Sequence, residues 1–199
     1  MALYEKREKF EGIALAIGRI ASKLPFTPNQ ITLLSLIVAI ISAYFLINRD
    51  FLVAALSFLI ASLLDFVDGA VARATNKATK IGAYLDTIAD RYVEGLMLVA
   101  MLFLPFPKIF FEAKIWIFAV LFGSLLTTYA KAAAKEKGLV AEGELKGGLL
   151  ERSERVALLF VGIAAAAISI NYLLYVLIFL AIVTNISALQ RILLSLIHI

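Results

Sequence analysis

The sequence of 199 residues contains no cysteine, one histidine, one tryptophan and four prolines. Without cysteine there is no disulfide framework and no thiolate metal centre, and the lone His198 rules out an imidazole cluster. Charge is scarce too: Asp, Glu, Lys and Arg make up 17% of the chain, against about 25% in an average soluble domain. Hydrocarbon takes its place. Hydrophobic residues form 62% of the sequence and the mean hydropathy is +0.95, which points to a membrane protein surrounded by lipid and gives no sign of a nucleic-acid partner.

The first segment, MALYEKREKFEGIALAIGRIASKLPF, is too interrupted by charge for a signal-peptide core, so it is expected to be retained. Ile13, Ile17, Ile20 and Leu24 recur at helical spacing opposite Lys6, Lys9 and Lys23, the pattern of an amphipathic helix over residues 4–24 lying in the membrane interface. Apolar windows long enough to cross a bilayer, about 20 residues each, begin at residue 28. The first follows TPNQ, where Thr27 can cap a helix and Pro28 can open it. The second starts near Phe51, the third near Gly82 and the fourth near Ile115. Residues 156–190 are uncharged throughout, too long for one span and suited to two, with Asn171 as the expected turn.

The expected architecture is therefore an all-α integral membrane protein. It is one domain over residues 1–199, with six transmembrane helices in 28–195. On this topology all but three of the 19 Lys and Arg residues fall on one side, the exceptions being Arg49, Lys108 and Lys114. The positive-inside bias makes this a multi-pass protein of the cell membrane with both termini in the cytoplasm.

One stretch, DFVDGAVARATNKATKIGAYLDTIAD, places charge where charge is expensive. Asp65 and Asp68 are three apart and Asp86 and Asp90 four apart, so each pair shares a helix face. Consecutive helices run antiparallel, which lets the two pairs converge. Asp65 lies about 12 Å along the helix from Arg73 at 1.5 Å per residue, inside the membrane yet close to the cytoplasmic side. Four neighbouring carboxylates stay ionised only if a cation neutralises them, and an all-oxygen set favours Mg²⁺, with Mn²⁺ or Ca²⁺ as alternatives. Gly69 and Ala72 keep one face open, Gly82 lets the next helix approach, and Arg73 and Thr79 offer donors to phosphate oxygens. Plain ion pairs with Arg73, Arg91 and Lys80, or a proton relay in a coupled transporter, explain one acid more readily than four at these spacings.

The same residues resemble the CDP-alcohol phosphotransferase signature D-x2-D-G-x2-A-R-x8-G-x3-D-x3-D at every fixed position, through Asp65, Asp68, Gly69, Ala72, Arg73, Gly82, Asp86 and Asp90. The resemblance implies transfer of a phosphoalcohol group from a CDP-linked donor to a second alcohol, with release of CMP. It further implies Asp65, Asp68 and Asp86 as ligands of a metal pair, two Mg²⁺ or Mn²⁺ ions, with Asp90 as general base and a further donor to a metal. Gly69, Ala72, Arg73, Thr79 and Gly82 would hold the CDP-lipid, helped by Thr27, Pro28, Asn29 and Gln30. A homodimer is also implied.

The acceptor must be sought elsewhere. Lys131, Arg152, Arg155 and Arg191 suit an alcohol that itself carries a phosphate, whereas Lys135, Lys137 and Lys146 read as a solvated basic face. Tyr129-Ala-Lys131, ERSER at 151–155 and Gln190-Arg191 resemble the branch of the family that uses L-myo-inositol 1-phosphate with CDP-diacylglycerol or CDP-archaeol. Glycerol 3-phosphate, serine or a CDP-inositol partner are the alternatives within the family.

Overall fold

The computed structural model describes residues 16–23, 25–139 and 149–197, and among these there is no strand. A short helical piece covers 16–21. It is followed by α1 (Pro28–Ile47), α2 (Phe51–Ala74), α3 (Lys80–Met101), α4 (Ala113–Glu136), α5 (Arg152–Ala166) and α6 (Ile170–Ile197). Most of the expected interfacial helix, with Lys6, Lys9, Ile13 and Leu24, lies outside the described residues, as do Lys146 and His198.

Local chemistry explains the boundaries. The α1 start is a reciprocal cap: the Thr27 amide donates to Gln30 Oε1 at 2.8 Å and the Gln30 amide to Thr27 Oγ1 at 3.4 Å, with Pro28 in the first turn where its missing N–H is harmless. A left-handed Arg49, φ 67°, reverses the chain between α1 and α2. At the end of α2 the left-handed residue is Asn76, φ 54°, and the Lys77 amide folds back to the Ala72 carbonyl at 3.0 Å. Asparagine tolerates this backbone better than most residues.

Among the described residues, four helices are long and apolar enough to cross a membrane: α1, α2, α4 and α6. The third helix is long enough, at 22 residues, but carries Asp86, Asp90, Arg91 and Glu94. With 15 residues, α5 rises about 22 Å, short of a hydrocarbon core of about 30 Å. The turn before α6 falls at residues 167–169 and not at Asn171. Ser169 explains the shift, because its hydroxyl accepts the Asn171 amide at 3.4 Å and its carbonyl the Tyr172 amide at 3.1 Å, leaving Asn171 inside the first turn.

The chain divides into two compact units, Met1–Ala43 with Leu56–Leu96 and Tyr44–Ala55 with Met97–Ile199. In the first, Ile31, Ala39, Phe58, Ala61, Ala70 and Val93 are buried, and Gly18 allows the short 16–21 piece to lie directly on the α2 backbone at Ala70. In the second, α6 packs along both α4 and α5. Gly123 brings the backbones of α4 and α6 together, since a Cβ there would sit 2.9 Å from the Asn185 nitrogen. Asn185 in turn donates its amide to the Ala119 carbonyl at 2.9 Å and the Ala181 carbonyl at 2.8 Å, satisfying groups that lipid would leave unpaired.

Candidate active site

Within the first unit, helical spacing and the antiparallel turn at 75–79 bring acids of α2 and α3 together. Asp65, Asp68 and Asp86 each offer a carboxylate oxygen, and these oxygens lie within 4.8 Å of one another. Asp68 is 3% exposed, whereas Asp65 and Asp86 are half-buried. Three carboxylates this close repel strongly unless a cation lies between them, and three oxygen donors fit a hard divalent ion. Asp90 does not join the group. One turn further along α3 it is buried, with Arg91 Nη2 3.8 Å from its Oδ2. Arg91 also pairs with Glu94, four residues past Asp90, at 3.2 Å.

Asp68 and Asp86 border a cavity of about 160 Å³ whose lining also includes Pro28, Asn29, Thr32, Gly69, Ala72, Arg73, Lys77, Thr79 and Gly82. Thr27 and Gln30, expected here from the sequence, are engaged instead in the cap of α1. Their neighbours Pro28 and Asn29 face the cavity. The missing Gly69 side chain has a specific consequence: a Cβ would lie 3.3 Å from Arg73 Nη1, so the glycine gives the guanidinium room to fold back over α2. Thr79 has a structural duty as well, accepting the Gly82 amide at 3.0 Å to cap α3. A Cβ on Gly82 would crowd that hydroxyl at 3.1 Å and Asn29 Oδ1 at 3.5 Å.

Two polar residues of the cavity, Lys77 and Thr32, were not expected from the sequence. Lys77 is placed by the left-handed Asn76 turn, a backbone feature that its own residue type does not signal. Thr32 lines the cavity and donates its hydroxyl to Asp68 Oδ2 at 2.5 Å. The one sequence signal was its spacing, three residues after Asn29 and hence on the same helix face.

In the second unit the ERSER segment divides its labour. Glu151 and Glu154 form a capping box at the start of α5, the Glu151 amide donating to Glu154 Oε2 at 2.8 Å, whereas Arg155 is 3% exposed. Arg191 donates from Nη1 to the Thr127 carbonyl at 3.3 Å, tying α6 to α4, and lies close enough to Arg155 and Glu151 to feel both charges. Arg152 is half-buried, and Lys131, one turn beyond Thr127, is exposed. Trp116 sits outside this group, donating to the Ile109 carbonyl at 3.1 Å.

A family model described as CDP-alcohol phosphatidyltransferase matches residues 26–195. Archaetidylinositol phosphate synthase of Pyrococcus horikoshii is 29% identical over 88% of this chain and 87% of its own length. Phosphatidylinositol phosphate synthase of Corynebacterium glutamicum is 31% identical, over 83% and 75% respectively. The bifunctional IPC transferase and DIPP synthase of Aquifex aeolicus is 36% identical over 68% of this chain, which spans only 32% of that enzyme. Among solved structures, phosphatidylinositol phosphate synthase of Mycobacterium tuberculosis with manganese and citrate has a TM-score of 0.79 at 25% identity, covering 92% of this chain and 88% of that one. With CDP-DAG bound, the same enzyme gives 0.77 at 25% identity, covering 92% of this chain and 93% of that one.

Proposed function

Since the chain belongs to the CDP-alcohol phosphatidyltransferase family, we propose that it transfers the phospholipid moiety of CDP-diacylglycerol or CDP-archaeol to a hydroxyl of L-myo-inositol 1-phosphate, releasing CMP. The observation that carries this reading is the meeting of Asp65 with Asp68 and Asp86, the latter two lining the cavity that also holds Gly69, Arg73 and Thr79. The names of the Pyrococcus and Corynebacterium relatives support the inositol-phosphate acceptor.

The three carboxylates would hold divalent metal, two Mg²⁺ or Mn²⁺ ions. When bound, such ions neutralise the donor's diphosphate and make its phosphorus more electrophilic. Arg73 presents a planar fork to the diphosphate oxygens. The small Ala72 and the capped α3 start at Thr79 and Gly82 shape the rest of the donor site, together with Pro28 and Asn29. Asp90 accepts the acceptor's hydroxyl proton as the new oxygen–phosphorus bond forms, and CMP leaves with the electrons of the bond that breaks. A carboxylate is a weak base for an alcohol, so positioning and electrostatics carry most of the barrier reduction. Arg155 and Arg191, like charges brought near each other, suit the acceptor's phosphate, with Lys131 and Arg152 beside them.

The same reading includes six spans, with α3 and α5 crossing as well as the four more apolar helices, an interfacial helix before them, cytoplasmic termini and active site, and a homodimer. A second reading within the family has a soluble CDP-inositol as a substrate in place of the CDP-lipid.

Purified protein given CDP-lipid, Mg²⁺ and inositol 1-phosphate is expected to release CMP. Release with CDP-inositol and not CDP-lipid would select the second reading, and release with glycerol 3-phosphate alone would replace the acceptor. A transporter of ions or protons predicts no CMP with any alcohol.

A further inference from the structure

Thr32 stands on α1, four residues into the helix, and belongs to no part of the Asp65–Asp90 stretch. Its hydroxyl is nevertheless 2.5 Å from Asp68 Oδ2 and 3.1 Å from the Pro28 carbonyl one turn back. A hydroxyl has one proton to give. An ionised carboxylate accepts only, so beside a metal-holding Asp68 that proton must point at Asp68, and the helix carbonyl is left to its backbone partner. Asp68 is the most buried of the three grouped acids, at 3% exposed, and both it and Thr32 line the same cavity.

From this geometry we infer that Thr32 is a positioning residue for the metal centre: its hydroxyl fixes the plane of the Asp68 carboxylate, and so sets the affinity of the site for a divalent cation. The inference rests on the metal-dependent reading above. An ionised carboxylate has about four lone-pair positions, so accepting one hydrogen bond at Oδ2 leaves others for the ion while removing the free rotation of the side chain. The held carboxylate also meets the ion in one orientation, which is the usual effect of a partner one layer behind a ligand. Threonine suits the task because its branched Cβ restricts χ1 on a helix.

The test uses the whole protein in detergent or nanodiscs, without donor or acceptor, and Mn²⁺ alone as the probe. Bound Mn²⁺ is read from the loss of the free-ion electron paramagnetic resonance signal. Thr32→Val keeps the shape and removes the hydroxyl, and it is expected to raise the Mn²⁺ Kd by about 10- to 100-fold. Thr32→Ser is expected to bring it back to within a few-fold of wild type. In turnover, the Thr32→Val deficit should shrink as Mn²⁺ is raised to saturation, because the defect lies in holding the ion and not in donor contact. If Thr32→Val does not remain monodisperse, Thr32→Ala carries the same comparison. Wild-type Mn²⁺ affinity in a folded Thr32→Val or Thr32→Ala overturns the inference and leaves the enzyme reading intact. No Mn²⁺ binding by the wild type, together with no CMP release, overturns that reading and this inference with it.

Discussion

The two compact units carry their polar residues in opposite ways. In the first, the conspicuous residues lie in one continuous stretch of α2 and α3 and act where they stand: Asp65, Asp68 and Asp86 meet, and Gly69, Arg73, Thr79 and Gly82 border the cavity beside them. In the second, the comparable residues are scattered from Lys131 to Arg191, and several hold the fold. Glu151 and Glu154 cap α5, and Arg191 ties α6 to α4 through the Thr127 carbonyl. Fixed helical spacing makes a site readable when its groups sit on adjacent turns. Where the groups come from three helices, the same residue types serve caps, interhelical bonds and ligands alike.

The comparison breaks most sharply at Asp90. If it is the base, Asp90→Asn should lower kcat by about 10²- to 10⁴-fold, with CDP-lipid affinity, read by isothermal titration, within a few-fold of wild type. Full activity would remove Asp90 from the base role and leave the first unit as a metal and nucleotide site only. Arg155→Ala comes next. Loss of a charge-assisted hydrogen bond costs about 1.5–3 kcal/mol, so the acceptor KM should rise roughly tenfold to a hundredfold while the donor KM changes little. An equal rise in both constants would mean that Arg155, buried as it is, supports packing and not acceptor recognition.

The fold was readable where punctuation is local. Pro28 after Thr27 opens α1, the second apolar window starts at Phe51 as α2 does, and three of the four aspartates, Asp65, Asp68 and Asp86, meet as their spacing allows. It was less readable where two helices choose a register. Nothing in ITLLS marks Thr32 as the partner of Asp68, because the bond depends on how α1 lies against α2. The TPNQ motif contained both a cap and two cavity residues, and only coordinates separate Thr27 and Gln30 from Pro28 and Asn29. Asn171 was the natural turn residue in an apolar run, yet Ser169 captures the helix start because its hydroxyl reaches an orphan amide two residues on.

Gly123 probes the second unit through packing alone. A Cβ there would meet Thr184 Oγ1 at 2.5 Å, Asn185 Nδ2 at 2.8 Å and the Asn185 backbone nitrogen at 2.9 Å, and the backbone cannot swing aside as a side chain can. Gly123→Ala is therefore expected to destabilise the protein by about 1–3 kcal/mol, seen as a lower Tm in detergent. An unchanged Tm would show that α4 and α6 slide apart freely, and that the second unit is held by other contacts.

The smallest effect is expected at Glu154, and it tests whether the acids of ERSER are structural. Its carboxylate accepts the Glu151 amide at 2.8 Å, closing the capping box at the start of α5. Glu154→Ala removes that acceptor and should cost about 0.5–1 kcal/mol, a fall in Tm well below that of Gly123→Ala. The acceptor KM should stay within a few-fold of wild type, since the cap leaves the Arg155 guanidinium in place. A large rise in acceptor KM with little change in Tm would reverse the assignment, placing Glu154 at the acceptor's hydroxyls and making ERSER a recognition element on its acidic side as well as its basic one.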